Sequence, residues 1–125
     1  MKDFLVLFVG GGFGAAARYG TGLLAERTLG EDFPWGTLLV NVGGSLLIGV
    51  LMHFALTAEW MTPRAKLALV TGFCGAFTTF STFSYETTRA IQAGDYRVAA
   101  LNVGLNVVLC LGATFLGLYG ASRIP

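Results

Sequence analysis

Residues 71–87 read TGFCGAFTTFSTFSYET. They lie inside a largely apolar stretch from Arg64 to Ala93, about 30 residues where one straight membrane span needs about 20. Gly72, Gly75 and the pair Thr78 and Thr79 punctuate it, so the stretch reads as a broken helix. Lipid cannot satisfy the amides and carbonyls that a break releases. Such backbone is tolerated at membrane depth only where it is buried in protein or lines a watery cavity. A break here marks a site.

Outward from it, three more runs reach span length: Phe4 to Ala25, Trp35 to Leu56 and Arg97 to Ala121. The fold this predicts is an all-α membrane protein, one domain over 1–125, with four transmembrane helices and the third broken near 75–79. Pro34 and Pro63 suit the first turns of helices, with Thr62 as an N-cap. Gly94 and Asp95 end the third helix and cap the fourth. The apolar run after Met1 to Asp3 has no small-residue cleavage signature, so it is expected to remain as a span rather than leave as a signal peptide.

Composition agrees. The chain is 54% hydrophobic and 12% charged, and its 18 glycines bring the apolar and glycine share to about two thirds, above the roughly 45–50% of soluble domains. A net charge of +1 cannot neutralise a run of phosphates, which excludes nucleic acid as the expected partner. Cys74 and Cys110 lie in apolar segments and read as small buried thiols rather than a disulfide or metal pair.

Lys2, Arg64, Lys66 and Arg123 fall at one side of the predicted bundle, and Arg18, Arg27, Arg89 and Arg97 at or towards the other. Orientation follows the Lys and Arg bias, and four against four leaves none. A chain without bias can insert both ways, and two opposed copies can pair about a twofold axis in the membrane plane. An antiparallel, dual-topology homodimer is the expectation.

Thr37, Asn41, Ser45, Gly49 and His53 follow one another at four-residue spacing in the second helix, as do Asn102, Asn106, Cys110 and Thr114 in the fourth. Each set forms a weakly polar track along one slowly drifting face. Such residues serve either as interhelical hydrogen-bonding glue or as the lining of a pathway. Gly10 and Gly14 form a GxxxG pair suited to close helix approach. The run FLVLFVGGGFGAA, with Glu31 and Asp32 further on, imitates a dinucleotide fingerprint, but no strand–helix–strand unit surrounds it.

Two ionisable side chains fall inside the spans, Arg18 and Glu86. Such residues are costly enough to be functional candidates by default. Arg18 reads as a snorkelling or helix-capping structural residue. Glu86 is either a carboxylate at the mouth of a pathway or an interfacial partner of Arg89. Phe80 and Phe83 share a helical face just after the break. Their rings are either a packing face or, presented edge-on, the positive rim of the aromatic quadrupole facing a small anion. Hydroxyls of Ser81, Thr82 and Ser84 and amides would replace the rest of its hydration shell. Without a fixed cation the ion can also leave.

At this point the chain closely resembles the Fluc/CrcB family of fluoride channels. The resemblance runs through GGFGAAARYG at 11–20, PWGTLLVNVGGSLLIG at 34–49 and GFCGAFTTFSTFSYET at 72–87. It implies a dual-topology dimer in a bacterial plasma (inner) membrane, exporting fluoride passively through two antiparallel pores, with no enzymatic step. Phe80 and Phe83 match the phenylalanine pair facing fluoride, and Asn41 the helix-two amide donor. Thr37, Ser81, Thr82, Ser84 and Thr114 match hydroxyls on or beside the polar track. Glu86 matches a carboxylate near the pore mouth, and Arg18 the arginine ending the first-helix motif. A structural sodium ion at the dimer interface is also implied, held by the backbone carbonyls of Gly75 and Thr78. Cys110 departs from the pattern where a hydroxyl is expected, and Asn106 stands where relatives carry aromatic or imidazole groups. The rival reading is a small dual-topology, proton-coupled multidrug exporter. That class needs a membrane-embedded acid in its first helix, and none lies between Phe4 and Ala25.

Overall fold

The computed structural model describes all 125 residues. In chain order the elements are α1 (Lys2–Leu29), α2 (Trp35–Thr57), α3 (Pro63–Lys66), a π-helical segment (Leu67–Cys74), α4 (Gly75–Phe77), α5 (Phe80–Gln92) and α6 (Tyr96–Ala121). The stretch from α3 to α4 runs on without a gap, and Thr78 and Thr79 alone separate it from α5. Three helical stretches are long and apolar enough to cross a membrane: Trp35–Thr57, Pro63–Gln92 and Tyr96–Ala121. The fourth expected span, α1, is 28 residues long, but its glycines, Arg18 and the polar turn Glu26 to Thr28 dilute it. It also continues past the expected end at Ala25 to Leu29, with Gly30 at φ 83° as its C-cap.

The punctuation residues act locally. Thr62 caps α3 by accepting from the Ala65 amide at 3.2 Å, with Pro63 opening the helix. Gly94, at φ 76°, closes α5. Its amide donates to the Ile91 carbonyl at 3.0 Å and the Asp95 amide to the Ala90 carbonyl at 2.9 Å, the paired bonds of a left-handed glycine cap. The Asp95 carboxylate then accepts from the Val98 amide at 3.1 Å to start α6.

Glycine sets how closely the helices approach. A Cβ on Gly10 would overlap the Ala68 carbonyl, and one on Gly14 the Phe73 carbonyl. The GxxxG pair of α1 thus lies directly on the backbone of the π-helical segment. Gly72 returns the contact, since a Cβ there would sit 3.1 Å from the Gly11 amide nitrogen. The π-helical turn was not foreseen. Its widened ladder is uncommon on its own, and here it is clamped by backbone-close packing on α1. Between α2 and α6, Gly49 meets Thr114 and Gly117 meets Leu46 in the same manner.

Little of the chain is enclosed. Of 125 residues 18 are buried, and the one apolar cluster is Leu51, Met61 and Cys74. Phe4, Phe8, Phe13, Val108, Leu111 and Phe115 all face outward. Apolar surface on this scale is a liability in water and the ordinary condition of a chain surrounded by lipid or by another subunit.

Candidate functional site

The break owes more to its two threonines than to the glycines before it. Thr78 (φ −84°, ψ 158°) and Thr79 (φ −151°, ψ 114°) adopt extended backbone, which suits β-branched residues. Thr78 turns its hydroxyl back to the Cys74 carbonyl at 2.9 Å. Thr79 caps α5 by accepting from the Thr82 amide at 3.2 Å. The backbone groups of Thr79 are then gripped by one side chain from α2. Asn41 Oδ1 accepts from the Thr79 amide at 2.8 Å, and Asn41 Nδ2 donates to the Thr79 carbonyl at 3.1 Å. Thr79 is 7% exposed, where an unmet amide or carbonyl would be costly.

From Asn41 a chain of hydrogen bonds runs into α6 and back to α5. Asn41 Nδ2 also donates to Asn106 Oδ1 at 3.0 Å. Asn106 Nδ2 donates to the Asn102 carbonyl at 2.8 Å and to Asn102 Oδ1 at 2.9 Å. Asn102 Nδ2 donates to Thr87 Oγ1 at 3.0 Å, and Thr87 Oγ1 to the Phe83 carbonyl at 2.8 Å. Every buried side-chain polar atom has a partner.

Two cavities meet at this network. One, of about 400 Å³, is lined by Asn41, Cys74, Gly75, Thr78, Phe80, Phe83, Asn106 and Cys110 among others, and no charged residue faces it. The rings of Phe80 and Phe83 lie 5.4 Å apart, tilted by 46°. Phe80 is 78% exposed and Gly75 also faces outward, so this groove is open along one side. The other cavity, of about 710 Å³, lies where α1 ends and α2 begins. It is lined by Arg18, Thr37, Thr82, Glu86 and Arg89 together with the acids Glu26, Glu31 and Asp32. Thr79 lines both.

The predicted residues therefore divide. Phe80, Phe83, Asn41, Asn106, Cys110, Gly75 and Thr78 share the neutral groove, while Arg18, Thr37, Thr82 and Glu86 share the charged cavity. Thr37 donates its hydroxyl to Glu86 Oε1. The alternative pairing of Glu86 with Arg89 is not made, and Arg89 gives Nη1 to Gln92 at 3.2 Å instead. Three hydroxyls stand outside both cavities: Ser81 lies 3.3 Å from the Thr79 hydroxyl, Ser84 donates to the Phe80 carbonyl at 2.9 Å, and Thr114 donates to the Ser45 carbonyl at 3.0 Å. Thr114 and Ser84 thus spend their protons on helix carbonyls, as hydroxyls in apolar helices tend to do. His53, at the foot of the helix-two track, packs edge-on to Phe54 at 5.4 Å.

Thr79, Asn102 and Thr87, read from the sequence only as part of the break, of the helix-four track and of the hydroxyls around Phe80 and Phe83, all belong to the network. The four-residue spacing of Asn102 and Asn106 and the N-cap spacing of Thr79 and Thr82 were the available signals. Neither spacing says which partner a side chain meets across helices.

Residues 5–118 match the family described as CrcB-like protein, Camphor Resistance (CrcB). A protein of Hyphomonas neptunium named fluoride-specific ion channel FluC is 45% identical over 125 residues, covering 99% of this chain and 98% of the relative. Proteins of the same name are 48% identical in Coxiella burnetii, over 92% of this chain and 94% of the relative, and 44% identical in Geobacter sulfurreducens, over 99% and 100%. With matches of this length and identity across all the helices that build the two cavities, the chain belongs to the CrcB family.

Proposed function

We propose that the protein is a fluoride channel that lets the ion leave the cell down its electrochemical gradient, in a bacterial inner membrane. The observation that carries this is the neutral groove at the helix break, where Phe80, Phe83, Asn41 and Asn106 converge with no charged residue among the lining. A desolvated small anion there meets ring rims and amide or hydroxyl donors. Lacking a fixed cation, the site holds the ion weakly enough to release it. The charged cavity beside it, with Arg18, Thr37 and Glu86, is the approach to the groove from one membrane face.

The working unit in this proposal is an antiparallel homodimer in the bilayer, with α1 as a fourth span. The exposed Phe80 and Gly75 would be covered by the second copy, and the even division of Lys and Arg between the two ends supports insertion in both orientations. A sodium ion fits the same face. The Thr79 amide, which would bond the Gly75 carbonyl in an unbroken helix, is taken by Asn41. That leaves the Gly75 carbonyl, with that of the extended Thr78, as oxygen donors of the kind hard cations select. When bound, the ion would take up the lone pairs of carbonyls that the break leaves without amide partners.

Purified protein in liposomes is expected to release fluoride and hardly any chloride, and Phe80→Ile and Phe83→Ile to abolish release while the protein remains folded and associated. Equal flux of both anions, or none of either, refutes the proposal. Epitope tags at both termini should be detected on both sides of the membrane, and a tag confined to one side refutes dual topology.

A further inference from the structure

Asn41 has two amide protons, and the structure uses both: one on the Thr79 carbonyl and one on Asn106 Oδ1. An anion arriving beside Phe80 and Phe83 therefore finds no free Asn41 N–H. One bond must give way. The Thr79 carbonyl belongs to backbone that the same Asn41 side chain also holds through the Thr79 amide. Asn106 Oδ1 belongs to a side chain whose other hydrogen bonds are made by its NH2 group, so its bond to Asn41 can be given up without disturbing the backbone of the break. We propose that Asn106 Oδ1 is a tethered stand-in for the anion, occupying the Asn41 proton in the resting channel and yielding it as fluoride binds, and that Asn102 is the positioning residue that keeps it there.

The role of Asn102 follows from its contacts. Both acceptors of the Asn106 NH2 group are on Asn102, its main-chain carbonyl and its Oδ1. Reversing the Asn106 amide would set its oxygen against two oxygens within 2.9 Å, so Oδ1 must face Asn41. Asn102 is itself 0% exposed and is fixed through Thr87 to the Phe83 carbonyl. The chain that orients the stand-in is thus anchored on the residue carrying one of the two rings. A built-in competitor weakens resting affinity for the anion and speeds its departure, which a conducting site requires.

This rests on the fluoride-conduction reading, and the experiment separates the two. Native protein, Asn106→Ala, Asn102→Ala and the double variant are reconstituted, and efflux is measured across a range of internal fluoride. In parallel, side-chain amide resonances of 15N-asparagine-labelled native protein in nanodiscs are followed during KF and KCl titrations. Removing one competing hydrogen bond should lower half-saturating fluoride about fivefold in Asn106→Ala. Asn102→Ala should lower it less, and the double variant should match Asn106→Ala. In native protein the Asn41 and Asn106 amide signals should move together with KF and stay still with KCl. Unchanged or higher half-saturating fluoride in Asn106→Ala, or Asn41 signals that move while Asn106 stays fixed, overturns the inference while leaving conduction intact. Native protein that neither releases fluoride nor responds to KF overturns the conduction reading itself. The native titration decides the matter even where a variant fails to fold.

Discussion

Replacing Asn41 tests how the helix break is held. In Asn41→Leu the number and branching of the side-chain heavy atoms are kept, but the Thr79 amide and carbonyl both lose their partner at a residue that is 7% exposed. A buried polar group left unmet costs about 1–3 kcal/mol, so the two at Thr79 together cost about 2–6 kcal/mol, against about 1–3 kcal/mol for Asn106 Oδ1, the single group on α6 that loses its donor. The damage should therefore concentrate at Thr79. Asn41→Asp is the informative control, because it keeps an acceptor for the Thr79 amide while removing the donor to the Thr79 carbonyl. Hydrogen exchange read residue by residue in nanodiscs is the assay. The Thr79 amide should exchange roughly 5- to 150-fold faster in Asn41→Leu, the range set by the cost of one unmet group, and keep most of its protection in Asn41→Asp. Amides of α2 and α6 away from the break should change much less. Unaltered exchange at Thr79 in Asn41→Leu would show that the break stands without Asn41 and refute the reasoning.

Other substitutions probe the remaining features. Gly49→Ala places a Cβ onto the Thr114 carbonyl and 3.2 Å from the Gly117 Cα, backbone that cannot step aside, so folded yield should fall sharply, whereas Gly112→Ala meets nothing within 4 Å and should be recovered at native yield by size-exclusion chromatography. Gly94→Ala puts a side chain at φ 76° and should lower stability by roughly 1–2 kcal/mol, read as an earlier thermal transition by circular dichroism in detergent. Thr37→Val keeps the shape but removes the hydroxyl that Glu86 accepts from. Fluoride efflux should fall about 5- to 30-fold, the equivalent of 1–2 kcal/mol, with the fold intact, and an unchanged rate takes this pair off the anion's route.

Much of the helical layout was legible in the residues because lipid narrows the choices. Long apolar runs bounded by Pro34, Pro63 and Gly94 can only be helices when every backbone group must be met within its own segment, and a 30-residue stretch holding Thr78 and Thr79 is too long for one straight span. The grouping of Phe80, Phe83 and Asn41 followed from motif resemblance, and the two cavities take in most of the remaining candidates, with Ser81, Ser84 and Thr114 outside both. Periodicity places Asn41, Asn102 and Asn106 on helical faces, but a face does not name a partner. That Asn41 grips both backbone groups of Thr79, that Glu86 takes a hydroxyl from Thr37 instead of pairing with Arg89, and that Ser84 and Thr114 return their protons to helix carbonyls depend on where the α2, α5 and α6 axes lie to within an ångström or so. Backbone-to-backbone contacts at Gly49 and Gly117 set how α2 and α6 lie against each other, and those at Gly10, Gly14 and Gly72 set α1 against the π-helical segment that leads into the break. Hydrogen bonds vanish over a fraction of an ångström, whereas hydrophobic patterning tolerates much more, so the chain's own pattern determined the helices and only the tertiary packing decided which polar groups meet.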